Sequence, residues 1–101
     1  MFLPMSEYEL QGFEKAAAKN KKYTAVLRHK KSGATRGISF GDKRYEQYLD
    51  STGMGAYSHM DHNDSQRRAL YRQRHQNDVR RGYFSPGYFS WVYLVVEKWG
   101  S

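Results

Sequence analysis

Between Lys22 and Gly41 the chain reads as two strands joined by a turn, and no other stretch limits the possible folds as much. Tyr23, Ala25 and Leu27 alternate with Thr24, Val26 and Arg28, the two-residue period of a strand with one buried face. Lys31-Ser32-Gly33-Ala34 supplies the turn, with Gly33 able to take a positive φ. The returning strand puts Ile38 and Phe40 on one face, and Gly37 and Gly41 permit a bulge or a close backbone approach. An isolated hairpin is marginal in water, so this one must pack on the rest of the chain.

The rest of the chain offers rings and short helices. In 101 residues there are 9 Tyr, 5 Phe and 2 Trp, enough bulk for one modest core with some rings left at the surface. Ser6 to Lys19 has a capping Ser, early acids, late lysines and Ala16-Ala17-Ala18, and reads as a helix. Residues 43–50 read as a second short helix, followed by the linker-like Ser51-Thr52-Gly53-Met54-Gly55. Asn63 or Asp64 caps the main helix, which runs to His75. Residues 76–84 read as a polar loop, and Ser85-Pro86 opens a last element from Tyr88 to Lys98, helical for its first two turns. The fold expected is therefore α+β, a β-hairpin packed against two to four short helices. Residues 1–21 form an N-terminal helical arm and 22–101 a single compact domain with a mobile loop at 51–61.

There are no cysteines, which removes disulfide scaffolds, thiolate metal sites and cysteine nucleophiles. No apolar run approaches the ~20 residues of a membrane helix. Met1-Phe2-Leu3-Pro4-Met5 is too short and uncharged for a secretory signal, so an intracellular, unsecreted protein with no membrane partner is expected. The net charge of +7 is arranged in blocks. Residues 15–44 hold ten Lys/Arg against one acid, residues 45–64 hold four acids and no base, and residues 67–81 hold six Arg against one Asp. Such blocks point to a polyanion or an acidic protein as partner.

The main helix gathers Arg67, Tyr71, Arg74 and His75 on one face, at offsets of four, seven and eight residues. Two readings compete for this stripe. The guanidiniums could hold phosphates while Tyr71 stacks on a base. Alternatively the face is a buttress, with Tyr71 in the core, Arg67 paired to Asp64 or Glu46, and His75 closing the helix. Arg68 and Arg72 are rotated away toward solvent as nonspecific phosphate contacts, extended by Arg80 and Arg81. Lys19, Lys21, Lys22, Lys30 and Lys31 form a second basic patch at one end of the hairpin. Trp91 and Leu94 are core residues, whereas Tyr83, Phe84 and Trp99 are candidates for a partner interface. His59, Asp61, His62 and Asp64 contain metal-binding residue types, but they straddle a loop and a helix cap where His and Asp are ordinary. No metal, cofactor or catalytic residue is assigned.

Three separated pieces carry a resemblance. They are Phe40-Gly41-x-Lys43-x-Tyr45-Glu46-x-Tyr48, then His62-x-Asp64-x-x-Arg67-x-x-x-Tyr71-x-x-Arg74-His75, then Gly87-Tyr88-Phe89-Ser90-x-x-Tyr93-Leu94. In this order and spacing they resemble a family of short, basic, functionally uncharacterised proteins of large double-stranded DNA viruses and phage-like genomes. The chain departs from that pattern in an insertion-like Leu49–Met60 and a longer N-terminal helix. The resemblance implies a viral origin, in a virion or an infected host cell, and no activity. The function expected is a non-enzymatic, virion-associated structural or accessory protein that contacts virion proteins or nucleic acid. A dedicated nucleic-acid-binding protein of viral replication or transcription is the alternative, with a metal-dependent nuclease behind both.

Overall fold

The computed structural model describes residues 2–75 and 82–95, with only the backbone of His75. Among these residues, five strands, two α-helices, a 3-10 turn and a wide π turn follow in the order β1 (Leu3–Pro4), β2 (Tyr8–Lys15), β3 (Lys21–His29), β4 (Thr35–Asp42), the 3-10 turn Ser58–Met60, α1 (Ser65–His75), β5 (Tyr83–Phe84), α2 (Pro86–Phe89) and the π turn Ser90–Leu94. The architecture is α+β. An antiparallel sheet of order β2-β3-β4 lies beside a small ladder of β1 on β5.

The hairpin forms as its alternation requires. Tyr23 pairs with Phe40 and Ala25 with Ile38, so one face of β3-β4 is continuously apolar. Tyr23, Ala25, Leu27 and Phe40 are fully buried there. Gly33 has φ +76 in the turn, and Gly41 has φ +78. A Cβ on Gly41 would stand 3.0 Å from Leu94 Cδ1 and 3.3 Å from Lys22 Cβ, so the missing side chain lets the C-terminal segment lie against β3-β4.

The N-terminal helical arm is not formed. Tyr8–Lys15 is instead β2, the third strand of the same sheet, paired along β3 from Tyr8↔His29 to Lys15↔Tyr23. Its register shifts between Leu10 and Gly12. That bulge explains the misleading apolar spacing: Tyr8 and Leu10 are two apart, and the extra residue then brings Phe13, three further on, to the same covered face. Ala16-Ala17-Ala18 serves the connection, with Lys21 N–H donating to Ala18 O at 3.2 Å. Sheet burial overrides their helix preference.

Residues 43–50 are not helical either. Tyr45 N–H donates to Asp42 O at 3.2 Å, turning the chain into an extended stretch. Gln47 and Tyr48 then pair in parallel with residues 60–63: Gln47 N–H donates to Met60 O (3.2 Å), His62 N–H to Gln47 O (2.9 Å) and Asn63 N–H to Tyr48 O (3.0 Å). Leu49 and Ser51 N–H donate to Leu94 O and Tyr93 O at 3.0 and 2.9 Å. The extended stretch thus fastens both the entry to α1 and the end of the π turn.

The last element starts where Ser85-Pro86 indicates. Ser85 Oγ accepts from Tyr88 N–H at 3.0 Å, and Pro86 fills the first turn. Beyond Phe89 the helix widens, with Val95 N–H reaching Ser90 O at 2.9 Å. The core gathers around Phe89, whose ring lies 5.5 Å from Phe40, 5.6 Å from Phe84 and 6.1 Å from Tyr93. Trp91 and Leu94 are buried as expected. Phe84 is buried in this core too, so it is not an interface residue; Tyr83 is half-buried.

Candidate functional site

α1 begins at a cap the sequence foreshadows. Asn63 takes a left-handed conformation (φ 54), and Asp64 Oδ1 then accepts from Gln66 N–H at 2.9 Å and Arg67 N–H at 3.3 Å. His62 Nδ1 accepts from Asp64 N–H at 2.8 Å, which fixes the approach to the cap. Over its eleven residues α1 carries Arg67, Arg68, Arg72 and Arg74 and no acid.

One side of α1 forms a wall of a cleft of about 530 Å³, whose lining includes Lys22, Tyr48, His62, Arg67, Arg68 and Tyr71. The Arg68 guanidinium lies 4.3 Å from the centre of the Tyr48 ring, a cation–π stack. Tyr48 in turn meets the His62 ring edge-on at 6.0 Å. The Tyr71 ring is 6.3 Å from that of Trp91, which anchors the far end of the wall to the core. The expectation that Arg68 faces solvent is therefore corrected: the parallel pairing of residues 47–48 with 61–63 brings Tyr48 beneath it.

Two carboxylates also line the cleft, and each has a dedicated arginine. Arg67 Nη1 is 2.8 Å from Glu46 Oε1, with both side chains about half exposed, and Arg44 Nη2 is 2.8 Å from Asp42 Oδ2. The hydrogen bond from Arg44 holds Asp42 at about 2, and that from Arg67 lowers Glu46. Both stay ionised with their charge locally compensated. Burial, then the neighbouring Arg67, lowers His62, so its ring is neutral near pH 7. The Arg67–Glu46 pair of the buttress reading is present, yet it sits at the surface beside a cleft. Tyr71 is half-buried and not a core residue.

Lys22 departs most from expectation. It is 2 % exposed, with its ammonium donating to Tyr45 O at 2.7 Å and to Gln47 Oε1. Gln47 is buried too, and its amide donates to Tyr57 O at 2.7 Å and Asp61 Oδ1 at 2.5 Å. Lys22 is thus no member of a solvent-facing patch, because the extended 43–48 stretch covers it. The second basic patch is also divided. Lys19, Lys21 and Lys22 stand at the open end of the hairpin and Lys30 and Lys31 at its turn, about 26 Å away at strand rise. Lys21 lines the cleft, whereas Lys30 and Lys31 are exposed far from it.

Arg72 and Arg74 are exposed on α1, outside the cleft lining. Arg80, Arg81, Trp99 and the His75 side chain lie outside the described residues. Among the described residues, no three His, Cys, Asp or Glu side chains converge as metal ligands. His62 Nδ1 and Asp61 Oδ1 are spent on backbone N–H groups, those of Asp64 and Asp50. Sequence reasoning missed the positions of Tyr48 and Lys22 in the site. Tyr48 stood in the Phe40–Tyr48 motif piece, but nothing in its spacing placed it under an arginine. No described helix is long and apolar enough to cross a membrane. Comparison of the chain with protein-family models, curated proteins and solved structures finds no match.

Proposed function

We propose that this protein is a non-enzymatic binding protein that holds a nucleic-acid strand along α1 and in the adjoining cleft. One observation carries the reading: Arg67, Arg68 and Tyr71 from one helix share a cleft with Tyr48 and two lysines, while Arg72 and Arg74 extend the positive charge along the exposed side. Guanidiniums match phosphates, and rings stack on any base, so such a surface suits sequence-tolerant binding of a single strand. A virion or virus-infected cell as the setting belongs to the same proposal and rests on the three motif pieces.

A second reading, docking on an acidic virion protein, draws support from the exposed apolar side chains Phe2, Tyr45, Leu49, Met54 and Leu70. These take the interface role first assigned to Phe84. Fluorescence anisotropy with a labelled single strand between low and moderate salt separates the two. Three arginine–phosphate contacts, from Arg68, Arg72 and Arg74, predict a slope of log K against log salt of about −2, at roughly −0.7 per contact. Arg72→Ala or Arg74→Ala should flatten it by about 0.7 each. Absence of binding at low salt, with co-sedimentation of the protein on stripped viral particles, favours the docking reading instead.

A further inference from the structure

We infer that the buried end of the cleft is a subsite for a phosphomonoester, the phosphorylated end of a strand or a free mononucleotide, held by the ammonium of Lys22. The inference rests on the nucleic-acid reading and adds the part of the ligand that enters deepest.

Lys22 is the starting point. An ammonium buried to this degree is costly unless charge and hydrogen bonds compensate it. Here only two of its three N–H donors are taken, both by neutral oxygens, Tyr45 O and Gln47 Oε1. Among the described residues it forms no ion pair. Burial lowers its pKa, and Asp42, Asp50, Asp61 and Glu46 act against that only by longer-range attraction. The nearest carboxylates are committed elsewhere: Asp42 to Arg44, Glu46 to Arg67, Asp50 to Thr52 and Tyr23, Asp61 to Gln47. The protonated ammonium has one donor to spare, and Lys22, Gly41, Tyr45 and Gln47 all line the cleft.

A phosphomonoester dianion supplies what is missing, acceptor oxygens together with charge. An internal phosphodiester carries a single charge and is flanked by chain on both sides, so it cannot enter a buried corner as a terminal group can. The cleft volume of about 530 Å³ exceeds the needs of a phosphate alone. It falls within the range of sites for small organic ligands, so the attached sugar and base fit beside Tyr48 and Tyr71.

The experiment compares strands of about 12 nucleotides, a typical single-strand site size. They share one sequence and carry a 5′-phosphate, a 3′-phosphate or hydroxyl ends. A nucleoside monophosphate and inorganic phosphate serve as competitors. One phosphorylated end should bind roughly ten- to hundredfold tighter than hydroxyl ends, the gain of a hydrogen bond to a charged group. Lys22→Met, checked for folding by circular dichroism, should lose that increment, so that phosphorylated and hydroxyl strands bind the variant equally. If Lys22→Met does not fold, the comparison of strand ends on the unaltered protein decides alone. Equal binding of all three strands overturns the inference and leaves the nucleic-acid reading standing. An increment that survives in Lys22→Met also overturns it. Direct binding of the monophosphate or of phosphate, measured by calorimetry, with no strand bound, upholds the subsite and defeats the nucleic-acid reading. No binding of any probe defeats both.

Discussion

Replacing Tyr23 by Phe should loosen the loop on which the far side of the cleft depends, by an amount the structure sets from two directions. The phenol is fully buried, donates to the Asp50 carboxylate and accepts from Tyr57 N–H at 3.2 Å. A hydrogen bond to a charged group contributes about 1.5–3 kcal/mol. Asp50 keeps Thr52 N–H at 3.1 Å and Thr52 Oγ1 at 2.6 Å, so it is not left without donors and the loss should fall near 2 kcal/mol. Titration gives the second route. Burial first, and then the bond to Asp50, raise the Tyr23 phenol from 10.0 to about 12. Two pH units correspond to about 2.7 kcal/mol, which includes the cost of burying a phenolate and so bounds the share of the Asp50 bond from above. Because the folded value lies above the unfolded one, this stabilisation is fully present below pH 10. It is lost as pH rises from 10 to about 12. Urea denaturation followed by tryptophan fluorescence should show a loss near 2 kcal/mol at neutral pH, a fall of roughly 8–10 °C in Tm for a chain this size. Tyrosinate absorbance should lose its phase near pH 12 in the variant. A destabilisation under about 0.5 kcal/mol, or an unchanged final titration phase, refutes the reasoning.

Three further outcomes are expected. Asp64→Ala removes the α1 cap and should cost about 1 kcal/mol, with a smaller helical signal by circular dichroism. Gly37→Ala places a Cβ 2.9 Å from Thr24 Cγ2 across β3-β4, and should lower stability by about 1 kcal/mol in urea titration although alanine suits a strand better than glycine. His62 has a lowered folded pKa, so its stabilising contribution is full above pH 6.5 and is lost as pH falls through the folded value. Acidification should therefore loosen the start of α1, seen as faster amide exchange at Asp64, whose N–H donates to the His62 ring.

Legibility in the sequence followed the range of the interactions. The β3-β4 hairpin, the Asp64 cap and the Ser85-Pro86 helix start are signalled by local alternation, turn and cap residues, and each was readable from residue type and spacing. β2 was misread because one bulge turns a two-residue period into a pattern of two and three, which also suits a helix. Residues 43–50 have reasonable helix propensity. Pairing with residues 60–63 and with the end of the π turn outweighs it, and those partners are distant in sequence. Alternation placed Lys22 on the polar side of β3, and it could not show that another segment would fold over that end of the sheet. Opposite charge offers Arg67 either Asp64 or Glu46, of which it meets Glu46, whereas the Arg68–Tyr48 stack depends on a parallel register that composition does not encode.

The residues around the cleft come from the two ends and the middle of the chain, from Phe2 through Lys22, Tyr48 and Arg68 to Val95. Residues 41–71 supply about half of that lining, and Lys22 and the Ser85–Val95 side must fold against them to close it. Under the proposed function, capture of a ligand therefore requires Lys22 and residues 85–95 to be docked on that segment. Occupancy becomes a stringent gauge of conformational integrity: a proteolytic nick that frees either terminus should abolish recognition before most of the sheet has melted.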